Sequence, residues 1–331
     1  MSASPPPIDG IRGNVIVRYE LSSKKSGIQP KAVSVLANMD GITLYNSSYR
    51  LRHPLGIYNL SFGTVLKKMD SVLRELDKVR KASVYRDLKK QDWDETLVSN
   101  LDQMLDAIME HLDDCKNIIC CFFENSATKS ANKAIREFNG EIKAYRNHVA
   151  IIVNAIKHNQ NRLRSIFFET FNDFVPGYYA EGLLIDGTVG PNPEIHEKGN
   201  VAISLNRDLP FHICNLYFVS AVLANKVVQL TGIKPLSSVE QKTNYAELSA
   251  VLRKVSVLPS IVFPDEAKKP YPYVKYTSDH VRGEERLLLE FPSNRLKPKP
   301  VPSGSHVQLS FGGDGVTSSF KIPYFGEGVT S

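Results

Sequence analysis

Hydrophobic positions along the chain change period twice, and each change predicts a different kind of structure. From Thr64, the residues Val65, Met69, Val72, Leu73, Leu76 and Val79 recur at the three-and-four spacing of a helix, with lysine and arginine opposite, as far as Val84. Asp92 and Glu95 make a capping box, after which Trp93, Leu97, Leu101, Leu105, Ile108, Leu112, Cys115, Ile119 and Phe122 keep one face for about eight turns. A shorter helix is predicted over Ala131–Phe138, with Gly140 as its punctuation. The spacing then predicts one long amphipathic helix over Glu141–Phe168, whose apolar side holds Ile142, Tyr145, Val149, Ile152, Val153, Ile156, Leu163, Ile166 and Phe167. Together these segments predict an antiparallel bundle.

Outside the bundle the period shortens. Asn14–Leu21, Lys31–Leu36 and Gly41–Tyr45 are β-branched or aromatic runs bounded by turn residues and read as strands. Past Phe174, Tyr178–Ile185 and Val201–Leu205 predict a strand pair, followed by helices over Phe211–Leu230 and Ser238–Lys254 with a breaker at Gly232–Pro235. Leu287–Phe291 and His306–Phe311 are strand-like, and Leu296–Pro302 is a polyproline-like stretch, either a linker or a ligand for an aromatic groove. Phe311–Ser318 and Phe325–Ser331 form a near-repeat that turn chemistry at two hairpin ends explains. The expected class is α+β: a β-rich region at 1–60, a central antiparallel helical bundle at 61–172, a strand pair with two helices at 173–258, and a mixed, Pro-rich and β-rich region at 259–331.

Composition adds a compartment and removes several chemistries. Of 331 residues, 42% are apolar and 23% charged, enough to bury a core without staples. No apolar run is long and clean enough to span a bilayer, since His212, Asn215, Asn225 and Lys226 interrupt Phe211–Leu230, and the first residues lack a secretion-signal pattern; a cytoplasmic protein with no membrane contact is expected. Cys115, Cys120, Cys121 and Cys214 follow no zinc spacing and read as small buried hydrophobes. No metal or cofactor is expected. His196-Glu197 has no second histidine of a zinc protease, Gly313-Asp-Gly315 is too short for a dinucleotide loop, and Pro264–Lys268 carries its acids and lysine contiguously and not on two strands. Glu181, Asp186, Glu194 and Glu197 are either surface acids or, if they converge, oxygen ligands for a divalent cation.

Charge is segmented. Residues 1–90 hold 16 basic and 7 acidic side chains, residues 91–125 hold 1 and 9, and residues 126–168 hold 8 and 2. Neighbouring antiparallel helices that complement one another account for this alternation, and so does a nucleic-acid surface. On the wheel of the 141–168 helix, Arg146, Asn147, Asn154, Lys157, His158 and Asn161 fall in a sector of roughly 120°. Asn154, His158 and Arg162 also follow each other at intervals of four, which would place an amide, an imidazole and a guanidinium together. Histidine can move a proton near neutral pH, and Arg162, Lys157 or Arg146 could stabilise charge on phosphorus oxygens. The plain alternative is a solvated helix face.

Val153-Asn-Ala-Ile-Lys-His-Asn159 resembles the motif helix of HEPN-domain proteins, in which an arginine, often followed by asparagine, precedes a histidine. Asn154 and His158 match; Val153 stands at the arginine position, with Arg146 and Arg162 on either side. The resemblance implies a dimeric α-helical module that binds or cuts RNA, often in bacterial toxin or antiviral systems, with His158, Asn154, Arg162 and Arg146 as its catalytic set. Lys157, Asn161, Lys268, Lys269, Tyr273 and Lys275 are the expected nucleic-acid contacts, the last four because lysines interleave with Tyr271, Tyr273 and Tyr276. A lysine-protected edge strand is the other reading of that segment. The expected function is thus RNA or nucleotide engagement, extending to metal-independent RNase activity. The alternative is a catalytically inert interaction subunit, a homodimer or a partner of another protein, with basic surfaces that touch nucleic acid.

Overall fold

The computed structural model describes residues 17–23, 27–84, 92–169, 174–196, 201–236, 245–279, 281, 283–312, 316 and 319–324. Within them the chain opens on β1 (Val17–Ser22) and a short helix, α1 (Lys31–Leu36). The strand expected at 31–36 is therefore a helix. Ala32, Val33, Val35 and Leu36 are buried together, a one-sided helical pattern, and the Ala32 N–H donates to Ser220 Oγ at 2.9 Å. Residues 42–45 take no regular form, so β1 is the one strand among the described residues of 1–60.

Three long helices follow: α2 (Pro54–Val84), α3 (Asp92–Cys120) and α4 (Lys129–His158). Proline suits the first turn of a helix, where its missing N–H has no acceptor, and α2 starts there, ten residues before its strict periodicity. The Asp92 side chain of the expected capping box lies outside the described residues. Cross-helix pairs establish opposite directions: Ser61 meets His111 and Lys68 meets Gln103 between α2 and α3, while Asp113 meets Arg146 and Asp106 meets Lys157 between α3 and α4. Ascending one helix means descending its neighbour, so this is the antiparallel bundle that the sequence predicts.

The end of α4 departs from expectation. Gly140 lies inside the helix, which starts at the Thr128 cap, whose hydroxyl accepts from the Ala131 N–H at 3.3 Å. Asn159 caps the other end, Gln160 takes a left-handed φ of 57°, and the chain continues as β2 (Arg162–Glu169), paired with β3 (Phe174–Leu183). The 141–168 helix is corrected to a helix and a strand. Leu163 and Phe167 face the main core whereas Ile166 and Phe168 face a second, smaller one. A strand that is apolar on both faces gives a near-continuous hydrophobic run that periodicity alone does not separate from a helix.

The β2–β3 pair is thus a wall between two cores. β4 (Val189–Pro191) and β5 (Ile203–Ser204) pair with β3. Next come α5 (Leu205–Thr231) and α6 (Tyr245–Val255), separated by Gly232 in the left-handed conformation; the 238–244 part of the expected second helix lies outside the described residues. β6 (Ile261–Val262), β7 (Tyr271–Asp279), β8 (Glu284–Ser293), β9 (Lys299–Pro300) and β10 (His306–Leu309) complete the fold. The sheets run β1-β8-β7, β10-β2-β3-β4 with β5 on β3, and the parallel pair β6-β9. The proline-rich stretch is accordingly docked as β9 and is not a linker, with Val301 buried in the second core.

About 50% helix and 22% strand make this an α+β fold. The main core takes buried side chains from Val17 to Phe291 and centres on α5, which is buried on nearly every side. That helix is the one among the described residues long and apolar enough to cross a membrane, and 78% of its apolar window lies inside the fold. Pro210 sits within it and cannot donate to the carbonyl of Asn206, which instead accepts from Tyr271 Oη at 3.3 Å.

Two glycine substitutions test these assignments by urea denaturation. Gly140→Ala, with nothing within 4 Å of the added methyl, should stabilise by about 0.5–1 kcal/mol if α4 is continuous; no gain would indicate a break there. Gly177→Ala puts Cβ 2.3 Å from Ile203 O and 2.4 Å from Phe263 Cζ, so a loss of about 2–3 kcal/mol is expected where β5 crosses the wall.

Candidate functional site

The polar stripe of α4 contains two different populations. Arg146 and Lys157 face α3: Arg146 Nη2 lies 3.3 Å from Asp113 Oδ1 and Lys157 Nζ 2.8 Å from Asp106 Oδ1. Lys116 joins Asp113 at 2.6 Å. Although partial burial pushes the Asp113 carboxyl up, Lys116 and Arg146 outweigh it and hold the group below its usual range. The ion pair with Asp106 holds the Lys157 ammonium above its usual value, with Glu110 and Asp102 adding to the field. These cations therefore brace two helices and sit against an acidic ridge, which explains the segmental charge.

The second population is exposed. Asn154 and His158 lie one turn apart on the last turns of α4, in solvent. Arg162 does not join them at the helical spacing expected, because it opens β2 opposite Glu181. Asn161 is not a surface contact either: it is buried at the turn, and a Cβ at Gly182 would approach its Oδ1 to 2.3 Å. Of the expected catalytic set, only Asn154 and His158 share a helix face open to solvent.

The Lys/Tyr segment is split by the pleat of β7. Tyr271 and Tyr276 turn inward, Tyr276 Oη donating to Glu285, while Tyr273 is half-buried and Lys275 exposed on the outer face. Lys268 is exposed and Lys269 partly so, in the turn before the strand. Among the described residues β7 pairs with β8 alone and is an edge of its sheet. The acids near β3 are engaged separately: Arg164 holds Glu181 through Nε at 3.0 Å and Nη2 at 2.9 Å, and Lys321 holds Asp186 at 2.7 Å. Glu197 lies outside the described residues, and no group of three or more potential metal ligands occurs among the described ones. The cysteines are free, and Cys115, Cys121 and Cys214 are buried.

The most concentrated titratable cluster is one that the sequence reading missed. Asp208, in the first turn of α5 and 1% exposed, accepts from Tyr178 Oη of β3 at 2.9 Å, and His212 Nε2 lies 3.3 Å from the same oxygen without an aligned hydrogen bond. Tyr145 Oη of α4 meets His212 Nδ1 at 3.0 Å. His148, one turn along α4, packs edge-on against Phe211 with ring centroids 5.1 Å apart. Burial pushes the Asp208 carboxyl up, but His212, His148 and Tyr178 together hold it below the ordinary range. Tyr145 had read as one more apolar position and His212 as an interruption of the apolar run 211–230; Asp208, four residues before His212 and just outside that run, was the available signal.

Comparison with known protein families, characterised proteins and solved structures finds no match to this chain.

Buried histidines set a pH prediction. Burial lowers His111 to about 4, His148 to about 4 and His196 to about 3, and His196 Nε2 must accept the Ala180 N–H at 2.8 Å. The unfolded chain protonates these groups below about 6.5 while the fold keeps them neutral, so stability is lost as pH falls from 6.5 towards 4, on the order of 1–3 kcal/mol for each group. Glu266, pushed up to about 7 by burial, opposes this, because the fold takes up its proton before the unfolded chain does. Three groups against one leave a net loss. Urea unfolding between pH 6.5 and 4.5 should reveal it, and a flat profile would refute neutral burial of these rings.

Proposed function

We propose that the protein is a non-catalytic interaction subunit that contacts nucleic acid through exposed basic and aromatic side chains. The observation that carries this reading is the commitment of Arg146 and Lys157 to Asp113 and Asp106. A metal-independent RNase needs a cation free to follow charge onto the phosphorus oxygens. Here the two stripe cations are held by carboxylates, and Arg162 belongs to another element.

Support for the nucleic-acid side comes from Lys268 in the turn before β7 and from Tyr273 and Lys275 on the outer face of that edge strand, in a chain of formal charge +6. Such a surface neutralises phosphates and offers one ring for stacking. Free cysteines fit a reducing cytoplasm, where we place the protein. A second reading, the HEPN-like RNase, keeps the support of Asn154 and His158, exposed side by side at the end of α4.

One experiment separates them. Binding to an unstructured single-stranded RNA in EDTA should weaken steeply between about 50 and about 200 mM salt. It should fall about tenfold in Lys268→Glu/Lys275→Glu, and the RNA should remain intact. Cleavage by the wild type that is lost in folded His158→Ala would instead establish the RNase; no binding at low salt would leave a subunit that meets only proteins.

A further inference from the structure

The 300–307 loop, together with Phe168, Pro264 and Tyr324, lines a cavity of about 920 Å³ that is open to solvent. Pockets for small ligands fall in this size range. The cavity lies by the second core, on the side of the β2–β3 wall away from the bundle, and shares no residue with the α4 stripe or the Asp208 cluster.

Its frame is fixed by backbone bonds. Lys299 N donates to Ser260 O at 2.8 Å and Val301 N to Val262 O at 3.0 Å, which aligns β9 beside β6, and buried Val301 anchors the loop from below. Ser305 returns to Pro302 O through its N–H at 3.3 Å and its hydroxyl at 2.6 Å, and Gly304 supplies the left-handed turn at φ 82°. β10 then pairs with β2. A loop tied at both ends presents a preorganised rim.

One wall is aromatic and held in an unfavourable conformation. Tyr324 has φ 64°, a left-handed backbone that costs a residue other than glycine roughly 1–2 kcal/mol. Its hydroxyl donates to Asp265, and its partly buried ring meets Phe168 at 5.2 Å and Phe263 at 5.8 Å between centroids, both edge-on. Other parts of the lining bring the Ser303 and Ser305 hydroxyls and the His306 imidazole. Lys297 and Lys299 do not line the cavity but are exposed on the stretch that leads into its loop.

We infer that this cavity is a nucleotide site in which a base lies against Tyr324, its polar edge reaches Ser303, Ser305 and His306, and its phosphate is drawn by Lys297 and Lys299. A ring face, hydrogen-bonding groups and adjacent cations are the combination that a nucleotide satisfies; a simple hydrocarbon would leave the polar rim unused, and a bare anion would leave the ring unused. The choice of ligand class rests on the nucleic-acid reading above, but the site and its residues do not overlap with the β7 edge.

Calorimetric titration of the full chain with AMP, adenosine and inorganic phosphate separately tests the assignment. AMP should bind, adenosine more weakly, and phosphate alone not at all. Tyr324→Ala should weaken AMP and adenosine alike by about tenfold, whereas Tyr324→Phe, which keeps the ring and loses the Asp265 bond, should stay within about threefold. Lys297→Glu/Lys299→Glu, on exposed positions that do not endanger folding, should weaken AMP about fivefold and leave adenosine unchanged. AMP binding indifferent to both changes, or no binding of AMP or adenosine, would overturn the site. RNA binding that survives without AMP binding would overturn this site alone, and loss of RNA binding in the β7 edge variant separates the two surfaces.

Discussion

Asp208 is a carboxylate at the centre of the fold, and the elements around it are arranged to satisfy it. A buried charge is tolerated only with close, well-placed partners. Here they come from three elements: Tyr178 from β3, His212 from α5 itself and, through His212, Tyr145 from α4. The same first turns of α5 are gripped from the C-terminal region as well. Glu266 accepts the Ser204 N–H at 3.2 Å, Asn206 Nδ2 donates to Ile261 O at 2.9 Å, and Arg207 donates to Pro270 O at 3.1 Å. Helical bundle, β2–β3 wall and C-terminal sheet therefore meet at one helix terminus, and the position of each follows from the others.

That arrangement also separates structural chemistry from surface chemistry. His111, His196, Asp208 and Glu266 are shielded from solvent and hold the fold together, and His148 is half-buried beside them. The cations of the α4 stripe brace α3. What remains for partners is the exposed end of α4, the edge of β7 with Lys268, Tyr273 and Lys275, and the Tyr324 cavity beyond the wall. His111, His196, Asp208 and Glu266 are out of reach of solvent, whereas His158 stands exposed at the end of α4.

Long helices were legible because their burial has one period. Val65 to Val79 and Leu97 to Ile119 each present one apolar face to one core, and the sequence pattern and the structure agree. Leu163 to Phe168 misled because both faces are covered by different cores, and Lys31–Leu36 misled because β-branched residues pack as a single buried turn beneath α5. Arg162 thereby left the expected site. The charge alternation was legible as helix complementarity, since it depends only on neighbouring segments. The Asp208 cluster was not, because Tyr145, Tyr178 and His212 are brought together over long sequence separations that a single chain without its fold does not reveal.

The stability of Asp208→Asn at pH 7 tests this account most directly. Asparagine keeps the shape but removes the charge that His212 and Tyr178 surround. Breaking a buried charged set in this way should cost about 3–5 kcal/mol in urea unfolding. An Asp208→Asn protein that unfolds at the same urea concentration as wild type would contradict the claim that this carboxylate organises the junction of bundle, wall and sheet.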